Sequence, residues 1–112
     1  MAFGFPARFR EKRKFNLQRN ELLAVVKSAF ENLGWHDYAI GENEQFYKKL
    51  RSSPLTWGED FWVDVLADGT IEVESRCAIG GIYRMPQIFD FGANRQNVET
   101  FFTEVERILK PS

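Results

Sequence analysis

Four carboxylates lie close together in the second half of the chain, and carboxylate oxygens are the ligands that divalent cations prefer. They are Asp60, Asp64, Glu72 and Glu74. Their spacing matches no known metal-binding loop, so we expect a solvated acidic face and no metal site. Covalent catalysis needs a nucleophile beside a base, and no pattern places the single histidine near Cys77. We therefore expect no catalytic residue and no cofactor, and a metal-dependent enzyme at the acidic face is the least favoured hypothesis.

A second polar group could form either a binding cleft or a structural knot. Glu59 has the same strand parity as Phe61 and Val63, so it should point toward the helices. Burial of a lone carboxylate is costly, and a helix N-terminus offers free N–H groups and a positive dipole end. We expect Glu59 to meet the start of the last helix or Arg95. The candidate binding residues under both interpretations are Trp57, Glu59, Trp62, Arg76, Gln87, Asp90, Asn94 and Arg95.

A long hairpin over residues 57–77 would position most of these side chains. Two runs of β-branched and aromatic residues flank Asp68-Gly69. A two-residue turn would mix the apolar and acidic faces, whereas a three-residue loop over 67–69 keeps them apart, with Gly69 in the left-handed position of a bulge. The predicted pairs are Val65 with Ile71, Val63 with Val73, Phe61 with Ser75, Asp64 with Glu72, and Asp60 with Arg76 as an ion pair. Like charges at Asp64 and Glu72 call for a basic neighbour or a cation.

The remaining elements predict an α+β fold in two layers. Residues 7–15, 36–40 and 45–51 have strand patterns, and residues 19–33 and 94–109 carry apolar stripes at helical spacing. Each helix has one such stripe, so both should cover the same face of an antiparallel five-stranded sheet. The order strand, helix, four strands, helix is that of TATA-binding-protein-like folds, a likeness of architecture only. A helix-grip arrangement is the alternative.

Composition limits the partners and the compartment. The 112 residues suit a single domain over 1–112, and no apolar run approaches the roughly 20 residues of a membrane span. One cysteine fits a reducing, cytoplasmic environment. A net charge of −1 gives no overall attraction to nucleic acid. A basic row in the first strand, Arg8, Arg10, Lys12 and Lys14, nevertheless keeps a nucleic-acid-binding module as an alternative, with Arg13 and Arg19 as further contacts.

The second half of the chain also carries a recognisable motif set. It comprises W-G-E at residues 57–59, S-R-C at 75–77, P-Q at 86–87 and D-x-G-x-N-x-x-N-V at 90–98. This set resembles small uncharacterised bacterial domains, a resemblance that implies no activity. The sequence thus leaves the function unknown and favours a small non-enzymatic interaction or ligand-binding domain. The partner would be a protein or a small polar ligand, and the chain a monomer or a weak homodimer.

Overall fold

A computed structural model describes residues 8–50, 58–77 and 93–110. Its elements are β1 (Arg8–Lys14), α1 (Arg19–Asn32), β2 (Ala39–Ile40), a short 3-10 turn (Glu42–Glu44), β3 (Phe46–Leu50), β4 (Glu59–Val65), β5 (Thr70–Cys77) and α2 (Ala93–Leu109). The predicted order of strand, helix, four strands and helix is confirmed.

The five strands form one open antiparallel sheet in the order β1-β5-β4-β3-β2. This is the predicted α+β topology. The strand predicted over residues 36–40 is shorter than expected, because only Ala39 and Ile40 pair with β3. Asp37 has a φ of 62°, in the left-handed region, and an extended strand cannot continue through that conformation.

Both helices cover the same face of the sheet, as predicted. The ring of Phe61 on β4 lies 6.1 Å from Phe30 of α1 and 5.6 Å from Phe101 of α2, measured between centroids. Val63 and Val73 are fully buried on the same face. The opposite face carries no described helix, so it holds the outward-pointing polar side chains of the strands.

The hairpin between β4 and β5 has the predicted register. Leu66 and Thr70 close a three-residue loop through a bond from the Leu66 N–H to the Thr70 carbonyl at 2.8 Å. Gly69 has a φ of 88°, as a bulge at this position requires. A Cβ at Gly69 would lie 2.7 Å from the carbonyl oxygen of Phe15 and 2.9 Å from that of Leu17. Only glycine therefore lets the loop touch the β1–α1 connection.

The end of α1 uses a second glycine in the left-handed region. Gly34 has a φ of 74°, and its N–H donates to the Glu31 carbonyl at 3.1 Å. No atom lies within 4 Å of the position that a Cβ would take there. The chain then returns Trp35 to the core, where its ring meets Phe30 edge-on at 5.7 Å.

Candidate functional site

Four buried polar residues join β4 and β5 to the first turns of α2, and we call them the polar node: Glu59, Ser75, Asn94 and Asn97. The side-chain amide of Asn97 donates to Glu59 Oε1 at 3.1 Å and to Ser75 Oγ at 3.2 Å. Ser75 Oγ in turn donates to Asn94 Oδ1 at 2.8 Å. Asn97 is 5% exposed and the other three are fully buried. Because these bonds satisfy groups that would otherwise be costly to bury, the node fastens α2 to the sheet.

Glu59 therefore meets the first turns of α2 as expected, through Asn97, and Asn94 joins the same node through Ser75; the alternative partner of Glu59, Arg95, lies elsewhere. The Arg95 side chain is 70% exposed and bonds Glu99 one turn further along α2 at 2.9 Å. Position 95 lies on the outer surface of the helix, whereas positions 94 and 97 lie on its inner surface. Trp57, Gln87 and Asp90 lie outside the described residues. Glu59 and Asn94 are fully buried, and the choice between a structural knot and a binding cleft stays a prediction.

Sequence reasoning missed Ser75 and Asn97 as members of the node. The signal for Asn97 was its position three residues after Asn94, which places both amides on one helix face. Ser75 was predicted opposite Phe61 on the inner face, and a hydroxyl among apolar neighbours needs a partner. Together these two positions would have predicted that the Ser75 hydroxyl contacts the amides of Asn94 and Asn97.

The opposite face of the sheet contains a shallow hollow of about 210 Å³, which we call the outer-face hollow. Its lining residues are Arg10, Gln45, Trp62, Asp64, Glu72, Glu74 and Arg76. Trp62 and Arg76 were both predicted as candidate binding residues, and the hollow brings them together. It lies on the other side of the sheet from the polar node, so the described site residues other than Arg95 belong to two separate places.

Trp62 lies between an aromatic ring and a guanidinium. Its ring centroid is 5.6 Å from that of Tyr47 on β3, and the Arg76 guanidinium lies 5.3 Å from the Trp62 ring. Arg76 also donates to Glu74 Oε2 at 2.8 Å. A guanidinium can stack on an aromatic ring while it bonds a carboxylate, because its donors lie in the plane of the group. This stacking limits the motion of the partly buried indole.

The predicted ion pair between Arg76 and Asp60 is wrong, although the two residues are opposite each other in the register. Asp60 accepts the Tyr47 hydroxyl at 2.5 Å, and Arg76 bonds Glu74 two residues away on its own strand. Burial raises the pKa of Tyr47 to about 12, and the hydrogen bond to Asp60 adds to this effect. The phenol is therefore neutral and acts as a donor at neutral pH.

The acidic pair Asp64 and Glu72 has basic neighbours on β1, as its like charges predicted. Arg10 donates to Glu72 Oε2 from Nε at 2.9 Å and from Nη2 at 2.5 Å, and Lys12 Nζ lies 3.7 Å from the same oxygen. Asp64 Oδ2 accepts from the Gln45 amide at 3.0 Å. Within residues 8–50, 58–77 and 93–110, no group of three or more histidine, cysteine, aspartate or glutamate side chains could hold a metal ion.

The fold and the two polar groups define an α+β domain with a charged sheet face that no described helix covers. Comparisons with known protein families, with curated proteins and with solved structures found no match to this chain. The resemblance of the second half to small bacterial domains therefore stays a prediction. None of the described helices is both long and apolar enough to cross a membrane.

Proposed function

We propose that this chain is a small non-enzymatic interaction domain that binds a protein partner at the outer-face hollow. The observation that carries the proposal is the position of Trp62, a large aromatic side chain on the face that no described helix covers. Tryptophan and arginine are enriched among the residues that contribute most to binding at protein interfaces. Trp62 and Arg76 stack on each other here, so both would meet a partner in a fixed geometry.

The dimensions of the hollow favour a protein over a small molecule. Small-molecule sites are typically deeper, with about 300–1,000 Å³ and a mostly apolar lining. The hollow measures about 210 Å³, and five of its seven lining residues are charged. Such a depression suits a side chain that projects from a partner surface, with the surrounding charges fixing its orientation.

A capture experiment with matched variants tests the proposal. The purified domain, Trp62→Ala and Leu66→Ala are immobilised separately and exposed to a lysate of the organism that encodes the chain. Leu66 is the control because it directly follows β4, is 38% exposed and does not line the hollow. A recovered protein is then purified, and its affinity for each variant is measured by calorimetry.

We expect Trp62→Ala to weaken binding by at least about 2 kcal/mol, the loss typical of a hot-spot tryptophan, while Leu66→Ala binds like the parent chain. Circular dichroism of each variant establishes that the fold is intact. If the parent chain and Trp62→Ala recover the same proteins with the same affinity, the hollow is not the contact surface and the proposal is wrong.

A further inference from the structure

The outer side of β1 is occupied entirely by cations. Arg8, Arg10, Lys12 and Lys14 are all exposed and all point away from the helices. We call these four residues the basic row. In the described part of the chain β1 pairs only with β5, so its other edge faces no described strand. An edge strand presents unpaired N–H and C=O groups that can accept another strand.

The carboxylates of β5 do not balance the basic row. Glu72 serves both Arg10 and Lys12, while Glu74 is already bonded to Arg76. In the register, Arg8 lies opposite Arg76 and Lys14 opposite Thr70. The cations are also the more accessible partners, because the Arg10 side chain is 57% exposed and the Glu72 side chain 15%. An approaching chain therefore meets positive charge at this edge.

The charge of the basic row selects among the strands that could pair with β1. A second copy joined through its own β1 would bring four cations against four cations, which is unfavourable. A strand whose acidic residues alternate with others would place one carboxylate beside each cation, because side chains on one face of a strand recur every second residue, about 6.8 Å apart. Charge thus disfavours the pairing of two copies through β1 and favours pairing of β1 with an acidic strand.

We propose that the β1 edge binds an extended acidic segment of a partner protein by strand addition, with backbone hydrogen bonds along β1 and carboxylates against the basic row. Nucleic acid fits this surface less well. Asp64, Glu72 and Glu74 lie behind the row, where they would repel phosphates, and the Trp62 ring is stacked with Arg76. The edge is a different surface from the outer-face hollow, so this inference does not depend on the Trp62 proposal.

Four probes of one length distinguish the possibilities. The first is an alternating Glu-Thr peptide as long as β1, and the second has the same composition with its glutamates and threonines in two blocks. The third is an alternating Lys-Thr peptide, and the fourth is single-stranded oligothymidylate. Binding is measured by calorimetry at about 50 mM salt, where electrostatic attraction is weakly screened. Amide hydrogen exchange then shows whether alternate N–H groups of β1 become protected, as strand addition requires.

We expect the alternating acidic peptide to bind most tightly and to protect β1. The charge-reversed variant Arg8→Glu/Lys14→Glu should bind it about tenfold more weakly, since two favourable exposed pairs are lost and two repulsive ones arise. The control Lys27→Glu/Lys49→Glu changes the net charge equally at two exposed sites, one on α1 and one on β3, which β5 and β4 separate from β1, and it should bind like the parent chain. Trp62→Ala should also bind this peptide normally, which separates the two proposals.

Several results would overturn the inference. Equal binding of the alternating and block peptides would mean that charge alone acts, without strand addition. Tighter binding of oligothymidylate would assign the basic row to nucleic acid, and no binding of any probe would leave it a solvated strand face. If Arg8→Glu/Lys14→Glu does not fold, the neutral variant Arg8→Gln/Lys14→Gln replaces it with a smaller expected loss of about threefold.

Discussion

Replacement of Gly69 by alanine should lower the free energy of unfolding by about 3 kcal/mol. Two effects contribute. The first is the backbone conformation, because a residue with a side chain at a φ of 88° costs about 1 kcal/mol more than glycine. The second is space, because the new Cβ would lie 2.7 Å from the Phe15 carbonyl oxygen, inside the 3.4 Å at which ordinary contact begins.

The steric effect is large because both close neighbours are backbone atoms. The carbonyl oxygens of Phe15 and Leu17 cannot rotate away as the end of a side chain could. The loop must therefore move, and this stretches the bond from the Phe15 N–H to the Gly69 carbonyl, now 2.9 Å. Overpacking and a weakened hydrogen bond together cost about 2 kcal/mol.

Gly34→Ala is the matched control, because it has a similar φ of 74° but no atom within 4 Å of the new Cβ. Gly34→Ala should lower the free energy of unfolding only by the conformational cost, about 1 kcal/mol. Urea unfolding of the parent chain and both variants measures the difference, and thermal unfolding should show it as a gap of roughly 8 °C between the variants. Equal stabilities of Gly69→Ala and Gly34→Ala would show that the loop does not pack closely against the β1–α1 connection.

Three further changes test other parts of the molecule. Asn97→Ala should lower the free energy of unfolding by about 3 kcal/mol in urea, because Glu59 loses a buried donor and a cavity forms. Phe30→Ala should cost about 4 kcal/mol in the same assay, since the ring is fully buried among five aromatic neighbours. Stability should fall from pH 10 toward pH 12, because folding raises the pKa of Tyr47 from 10.0 to about 12 and the neutral phenol stabilises the fold. Tyr47→Phe should make this loss less steep.

Each of these changes has an outcome that would contradict it, and Asn97→Ala also has a control variant. Gln96→Ala removes an exposed amide beside the polar node and should leave stability within about 0.5 kcal/mol of the parent chain. A cost of Asn97→Ala no larger than that would contradict the node's role in fastening α2. Retention of the alkaline stability loss in Tyr47→Phe would assign that loss to another group. A Phe30→Ala variant as stable as the parent would show that the Phe30 ring does not contribute to the aromatic core.

The fold could be predicted in detail where the faces of a strand differ strongly. Val63 and Val73 had to share the buried face, and this requirement alone excluded the two-residue turn that Asp68-Gly69 usually indicates. The helices followed from single apolar stripes, which allow only one side to meet the sheet. These features depend on burial of many apolar groups, so no single local preference could override them.

Partners of individual polar side chains could not be predicted in the same way. Arg76 lies opposite Asp60 across the sheet and two residues from Glu74 on its own strand, and it bonds Glu74; this choice depends on side-chain rotamers and on Tyr47, which donates to Asp60. The contact of Glu59 with Asn97 depends on the rotation of α2 about its axis, which the stripe defines only approximately. The alternative pairings of such side chains differ little in free energy, so the sequence pattern does not determine which one forms.

The basic row also affects how concentrated solutions of this protein should behave. Repulsion between the rows of two molecules extends about 10 Å at 0.1 M salt and only about 3 Å at 1 M. At 1 M this reach is shorter than the roughly 5 Å between side chains directly opposite each other in paired strands, so the edges of two molecules no longer repel each other effectively. Light scattering should therefore detect a rise toward the mass of a dimer as ionic strength rises, because pairing of β1 with β1 closes after two copies. A protein held together by oppositely charged patches should instead dissociate as salt is added.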